Sequence, residues 1–293
     1  MSHGEITPLH VMSAFETEPS QLDFVIPGFL AGTVGCLYAP GGAGKSFLAL
    51  EIAMSVAGVD FLGLGTHRTG RTLYLALEDP DVILRRRLHA IGSHLSLAQR
   101  ESVAERLEIL PLVGVFFDLL SGTTASWLQR RAEDVRLVIV DTLSRAQSGD
   151  ESNNGEMAKL LRALEHIGAS TGAAVLFLHH VNKSSGRERN GDQFSVRGAS
   201  ALLDNARFGA AITYIDDDTD GRRIRYSVSK HNYAAPIVPL HFLRHEGGVL
   251  LPAPPPQEQD AVQSDKPKAP SIRRANPFGS PYLAAKNGEI HDW

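Results

Sequence analysis

Residues 39–46 read Ala39-Pro40-Gly41-Gly42-Ala43-Gly44-Lys45-Ser46, and the fold turns on how they are read. A short apolar run, Val34 to Ala39, precedes them and has the character of a strand. SFLALEIAMSVA, Ser46 to Ala57, follows. It reads as a helix that is apolar almost all round and therefore buried on several sides. A glycine-rich turn between a strand and a helix is the setting of a phosphate-binding loop. Gly41, Gly42 and Gly44, with Pro40 and Ala43 between and beside them, let backbone N–H groups turn inward around phosphate oxygens. The helix that follows points the positive end of its dipole at the same anion. Lys45 supplies charge to the β- and γ-phosphates of ATP, and Ser46 a hydroxyl to Mg²⁺. Residue 39 is alanine where the pattern G-x-x-x-x-G-K-[ST] has glycine, so the assignment rests on the strand–turn–helix context.

On either side of this loop, short apolar runs alternate with helical stretches. TLYLAL, Thr72 to Leu77, reads as a strand ending at Glu78, with Asp79 as N-cap and Pro80 as first residue of the next helix. Leu107 to Leu110, Leu137 to Val140 and Ala174 to Leu178 are further strands, and Met157, Leu160, Leu161, Leu164 and Ile167 fall at helical spacing. Such continuous apolar strands imply a mostly parallel central sheet flanked by helices, an α/β fold. After Ala210 the pattern becomes that of C-terminal antiparallel hairpins, Ala211–Ile215 with Arg223–Lys230 and Val238–Leu243 with Val249–Leu251.

The polar residues at strand ends carry the chemistry. Asp141 ends LVIVD at the edge where open α/β sheets bind ligands, and would hold Mg²⁺ through water. Glu78 reaches the γ-phosphate side if its strand neighbours that of the loop, and can then polarise the attacking water. His179 and His180 end the fifth strand; one of them would contact the γ-phosphate and report its loss, and alternation along the strand admits only one. His179 is the expected sensor.

The rest of the chain bounds the reading. Its 293 residues are 43% hydrophobic and 21% charged, ordinary globular composition. A net charge of -4, from 29 basic and 33 acidic side chains, argues against a coat on duplex DNA but leaves room for one local basic channel. Between the fifth strand and the helix containing Leu202, Lys183, Arg187, Arg189 and Arg197 outnumber Glu188 and Asp192. From the residues alone, a solvated loop and a nucleic-acid contact fit this segment equally. The single cysteine, Cys36, forbids an internal disulfide, and no run is long and apolar enough for a membrane span. A cytoplasmic protein is expected. Residues 1–32 read as a lead-in arm, a possible subunit contact, 33–251 as the catalytic domain and 252–293 as a Pro-rich tail.

Taken in order and spacing, APGGAGKS, LEDP, LVIVDTLSR, FLHHVNK, RGASALLDNAR and SVSKHNY resemble the RepA-type replicative helicases of broad-host-range plasmids, within the hexameric RecA/DnaB-like superfamily. The resemblance covers about residues 20 to 250. It implies a RecA-like P-loop NTPase core and a homohexameric ring that uses ATP and Mg²⁺ to move 5′ to 3′ on single-stranded DNA. Plasmid initiator or primase proteins become candidate partners. It implies that Lys45 binds phosphate, Glu78 is the catalytic base, Asp141 the magnesium acid and His179 the sensor. Arg207 matches the arginine that such rings insert into the neighbouring subunit's site, and Lys230 is either a second such cation or a surface lysine. Lys183, Arg187, Arg189 and Arg197 would face the DNA in the central channel. Two alternatives stand beside the helicase: a RecA-like recombination or repair ATPase, and a regulatory ring that assembles on protein.

Overall fold

A computed structural model describes residues 7–66, 68–149, 154–181, 200–215 and 222–256. The chain divides into two compact units, Met1–Pro255 and Pro256–Trp293. All secondary structure among the described residues belongs to the first. Helix α1 (Val11–Glu16) and the paired strands β1 (Phe24–Ile26) and β2 (Phe29–Leu30) lead into β3 (Val34–Pro40) and α2 (Lys45–Ala57). Then come β4 (Arg71–Ala76), α3 (Asp81–Gly92), α4 (Leu97–Arg106), β5 (Leu107–Pro111), α5 (Gly122–Arg131), β6 (Val135–Asp141), α6 (Asn154–Thr171), β7 (Ala174–Val181) and α7 (Ser200–Asn205). Strands β8 (Phe208–Tyr214), β9 (Arg223–His231), β10 (Leu240–Arg244) and β11 (Leu250–Ala253) close the unit.

Nine strands form one sheet in the order β11-β10-β9-β8-β3-β7-β6-β4-β5. The six from β8 to β5 run parallel, and β9, β10 and β11 extend the sheet antiparallel from β8. This is the expected mostly parallel α/β sheet with C-terminal antiparallel hairpins. Its strands read as continuous apolar runs because both faces are covered. Alternation divides each strand between two cores. Leu37, Tyr74, Ala76, Leu137, Ile139, Leu176 and Leu178 pack with α2 on one face. Cys36, Leu73, Leu75, Val138, Val140, Val175 and Phe177 pack with α5 and α6 on the other. Helix α2, sandwiched in the first core, is buried along nearly its whole length, as its composition implied.

Several expectations need correction. Strand β4 does not neighbour β3; β7 and β6 lie between them. Asp79 does not cap α3, whose N-cap is Pro80. The Asp79 carboxylate instead pairs with Arg87 at 2.6 Å. Strand β11 continues to Ala253, past the expected boundary at 251. The sequence reading also passed over α1, α5 and the β1–β2 pair.

The later part of the lead-in segment joins the core through Val25, Ile26 and Phe29, and a clamp at Asp23 stands just before it. Arg136 grips Asp23 with both nitrogens, Nη1 to Oδ2 at 2.9 Å and Nη2 to Oδ1 at 2.6 Å. Residues 7–22 before that clamp are all exposed, with Leu9 at 80% and Phe15 at 78%.

Candidate active site

Parallel strands bring their carboxyl ends to one edge of the sheet, and the polar residues singled out above meet there. The turn from β3 into α2 is a tight one: Gly42 and Gly44 have φ of 81° and 94°, a region that side chains strain to enter. The first N–H groups of α2 have no partner within the helix and face the turn.

Lys45 opens α2, yet its side chain is only 4% exposed. It folds back so that Nζ donates to the carbonyl oxygens of Ala39 at 3.1 Å and Pro40 at 3.4 Å. Nζ also meets His180 Nδ1 at 3.0 Å. An ammonium can only donate, so Nδ1 accepts, and the proton of a neutral ring sits on Nε2. That nitrogen faces Glu78 Oε2 at 3.5 Å. A chain Lys45–His180–Glu78 therefore spans from the loop to the end of β4, across the two intervening strands. Burial lowers the Lys45 pKa, while the charges of Asp141 and Glu78 raise it. Glu78 is held below the ordinary carboxylate range, first by its hydrogen bond to His180, against the opposing effect of burial, and then by the charges of Arg145 and Lys45.

His180, and not the expected His179, makes these contacts. The reason is parity along β7. His180 continues the face of Leu176 and Leu178, which packs with α2. His179 continues the face of Val175 and Phe177, toward α6. Burial, followed by the charges of His180 and Lys45, pushes the His179 pKa down to about 4, so that ring stays neutral at ordinary pH.

Asp141 obeys the same parity, following Leu137 and Ile139 onto the α2 face. It is 2% exposed. Its Oδ2 accepts a 2.5 Å hydrogen bond from the buried Tyr74 hydroxyl, while Oδ1 is buried with no hydrogen-bond partner. Burial raises its pKa, hydrogen bonds from Tyr74 and Ser46 act in the other direction, and the charges of Asp79 and Glu78 raise it further. An unpartnered, buried carboxylate oxygen beside a serine hydroxyl suits a hard divalent cation, which takes oxygen ligands. Asp141 and Ser46 therefore fit Mg²⁺. Among the described residues no cluster of three or more His, Cys, Asp or Glu side chains could hold a metal on its own. A small cation that keeps several waters and a substrate phosphate needs no such cluster.

Three contributors escaped the sequence reading: Tyr74, Arg145 and Arg244. Tyr74 shares the α2 face with Glu78's strand, so parity would have found it. Arg145 acts on Glu78 by charge from the turn after β6. Arg244 donates from β10 to Ala43 O at 2.7 Å, and nothing in the local sequence signals that approach.

Arg207 lies elsewhere. Its backbone N–H donates to Val34 O at 2.9 Å, at the amino end of β3. The strand's seven residues separate it from the loop, roughly 20 Å at a strand's rise. Its side chain is exposed and makes no hydrogen bond or ion pair among the described residues. Lys230 is engaged within the chain, with Nζ donating to Leu203 O at 2.7 Å and Asp204 O at 2.8 Å at the end of α7. Lys183, Arg187, Arg189 and Arg197 lie outside the described residues.

The chain is similar to known proteins both in sequence and in fold. The AAA domain family matches residues 4–186, more than half of the sequence, a span that includes Lys45, Glu78, Asp141 and both histidines. The chain belongs to the AAA domain family. Among solved structures, a DnaB-like replicative helicase, described with its interactions with primase, superposes with a TM-score of 0.59 at 14% identity, covering 82% of this chain and 64% of that one. The ATPase domain of G40P gives 0.56 at 15% identity, covering 83% and 96%. The RadB recombinase gives 0.51 at 15% identity, covering 75% and 90%. At these identities the likeness is one of fold, and this AAA domain has the fold of RecA- and DnaB-like ATPase domains. Among the described residues no helix is long and apolar enough to cross a membrane.

Proposed function

We propose that the protein is an ATP-driven helicase that moves 5′ to 3′ on single-stranded DNA as a homohexameric ring in plasmid replication. Lys45 and the loop from Pro40 to Ser46 bind the phosphates, Asp141 and Ser46 hold Mg²⁺, and Glu78 orients the attacking water as a carboxylate. His180, in contact with both Lys45 and Glu78, senses the γ-phosphate in place of His179. Mg²⁺, when bound, neutralises phosphate charge as the terminal group leaves. Lys183, Arg187, Arg189 and Arg197 track the DNA backbone, and initiator or primase proteins are the partners to seek.

The observation that carries this reading is the position of Arg207. Its side chain is exposed and makes no hydrogen bond or ion pair among the described residues, and it lies about a strand's length from its own chain's Lys45. An exposed arginine at the opposite edge of the sheet from the loop is placed to complete the site of a neighbouring copy. A head-to-tail interface of that kind closes into a ring or runs on as a filament. The exposed apolar residues of α1 suit packing on the same neighbour. The test is ATPase rate with and without single-stranded DNA across a salt series. DNA stimulation that fades as salt rises is expected. Turnover indifferent to DNA would remove the motor and leave a regulatory ATPase.

The RadB likeness, which spans 90% of that chain, favours a second reading as a recombination ATPase. Assembly on DNA into filaments of open length, in place of a particle of fixed mass, would select it.

A further inference from the structure

The antiparallel extension of the sheet does more than widen it. Residues 244–250, from the end of β10 through its turn to the start of β11, touch the phosphate loop, α2 and α3. Arg244 Nη2 donates to Ala43 O at 2.7 Å. Leu250, its register partner on β11, donates its N–H to Glu51 Oε1 of α2 at 2.9 Å. Gly248 presses on Phe47 of α2 so closely that a Cβ there would stand 2.6 Å from the ring. Gly247 lies against Ala90 and the His245 ring against His94, on α3 and just beyond it. Arg222 holds the main chain of Arg244 in turn: Arg244 N–H donates to Arg222 O at 2.7 Å, and Arg222 Nε donates to Arg244 O at 3.1 Å.

Consider what the Arg244 contact does to the loop. In a planar trans peptide, the carbonyl of one residue and the N–H of the next point in opposite directions. A guanidinium that holds Ala43 O on the outer side of the loop therefore aims Gly44 N–H away from itself, toward the inner side. Gly44 is glycine for two reasons that agree: its φ is 94°, and a Cβ would lie 2.8 Å from Arg244 Nη2. In P-loops it is inward N–H groups of this kind that cradle phosphate oxygens. The loop's own hydrogen bonds do little to fix this peptide, since the nearest, Ala43 N–H to Pro40 O, is long at 3.3 Å.

We propose that Arg244 is a positioning residue for nucleotide binding: it sets the Ala43–Gly44 peptide from outside so that Gly44 N–H faces the phosphates. The inference rests on reading Pro40 to Ser46 as a nucleotide-phosphate loop.

The experiment uses the full chain and steady-state ATP hydrolysis, with Arg244→Ala, Arg244→Lys and, as control, Lys45→Ala. Loss of one charge-assisted hydrogen bond predicts a KM for ATP raised roughly tenfold in Arg244→Ala, with kcat within about threefold of the parent. Arg244→Lys, which keeps a charged donor, recovers most of the KM. A merely structural role would reduce the amount of active protein, so a fall in kcat at unchanged KM overturns the inference, as does a lysine variant no better than alanine. Parental kinetics in Arg244→Ala, with Lys45→Ala inactive, overturns it while leaving the phosphate loop intact. Parental turnover in Lys45→Ala would remove the loop reading itself, and this inference with it.

Discussion

The two ends of β3 are built on opposite principles. At its carboxyl end, charge is drawn inward: Lys45 and Asp141 are buried, and Lys45, His180 and Glu78 are chained by hydrogen bonds. Burying charge is costly unless partners compensate for lost water, and one oxygen there, Asp141 Oδ1, still has no hydrogen-bond partner. At the amino end, charge is left outside: Arg207 projects from the start of β8 with no partner among the described residues, beside a Lys230 that spends its donors on α7. On the proposed function, one end serves the nucleotide and the other a neighbouring copy. The contrast also separates residues whose loss should be felt within one subunit from the one whose loss should be felt next door.

The largest effect should come from Lys45→Ala. Its Nζ is the cation of the loop, and turnover should fall by about 10³-fold or more. A variant that hydrolyses ATP at the parental rate would break the assignment of the carboxyl end. The paired variants His180→Ala and His179→Ala sharpen it. Removal of His180 should lower kcat by roughly 10²-fold, and removal of His179 by less than about threefold. The reverse ranking would mean that contact with Lys45 and Glu78 is incidental.

Stability carries the smaller effects. Glu51 sits fully buried in α2 with Oε2 unpartnered, and burial pushes its pKa up from 4.5 to about 8. Its folded pKa is raised, so the folded chain holds a proton that the unfolded chain releases between those values. Stability is therefore full below pH 4.5 and is lost as pH rises toward 8. Glu51→Gln, neutral at every pH, should gain on the parent across that window, reaching on the order of 5 kcal/mol above pH 8. A difference in unfolding free energy that does not change with pH would show that Glu51 ionises freely. Tyr74→Phe strips Asp141 Oδ2 of its donor and should cost about 1–2 kcal/mol in chelator-treated protein, measured by denaturant unfolding. No change would mean that the 2.5 Å bond contributes nothing net.

Much of the carboxyl end was legible because local rules suffice there. Glycines, a lysine and a serine between an apolar strand and an apolar helix have few other uses. Period-2 alternation then assigns Glu78, Asp141 and His180 to one face, and applying it through Leu176 and Leu178 would have chosen His180 over His179. What stayed hidden depends on which strands become neighbours. Arg244 is 201 residues from Ala43, and only the sheet order carries it there. The strand order β3-β7-β6-β4 likewise cannot be read from the strands themselves, so the reach of Glu78 hung on whether β4 neighbours β3, and His180 in fact bridges the gap. Asp79 next to Pro80 has the form of a cap, but an ion pair with Arg87, about two turns into α3, takes it instead. Helix α5, GTTASWLQRR, has a single fully buried residue, Leu128, too little apolar periodicity to announce itself.

The comparison of the two ends is tested most directly by mixing defects. Lys45→Ala and Arg207→Ala chains should each be nearly inactive alone, the second by roughly 10³-fold while still binding ATP. Co-assembled in equal amounts, they should regain turnover, because roughly one site in four then pairs an intact Lys45 with a neighbour's intact Arg207 across a head-to-tail interface. Mixed assemblies as inactive as either parent variant would contradict the account: the two ends of β3 would not meet between subunits.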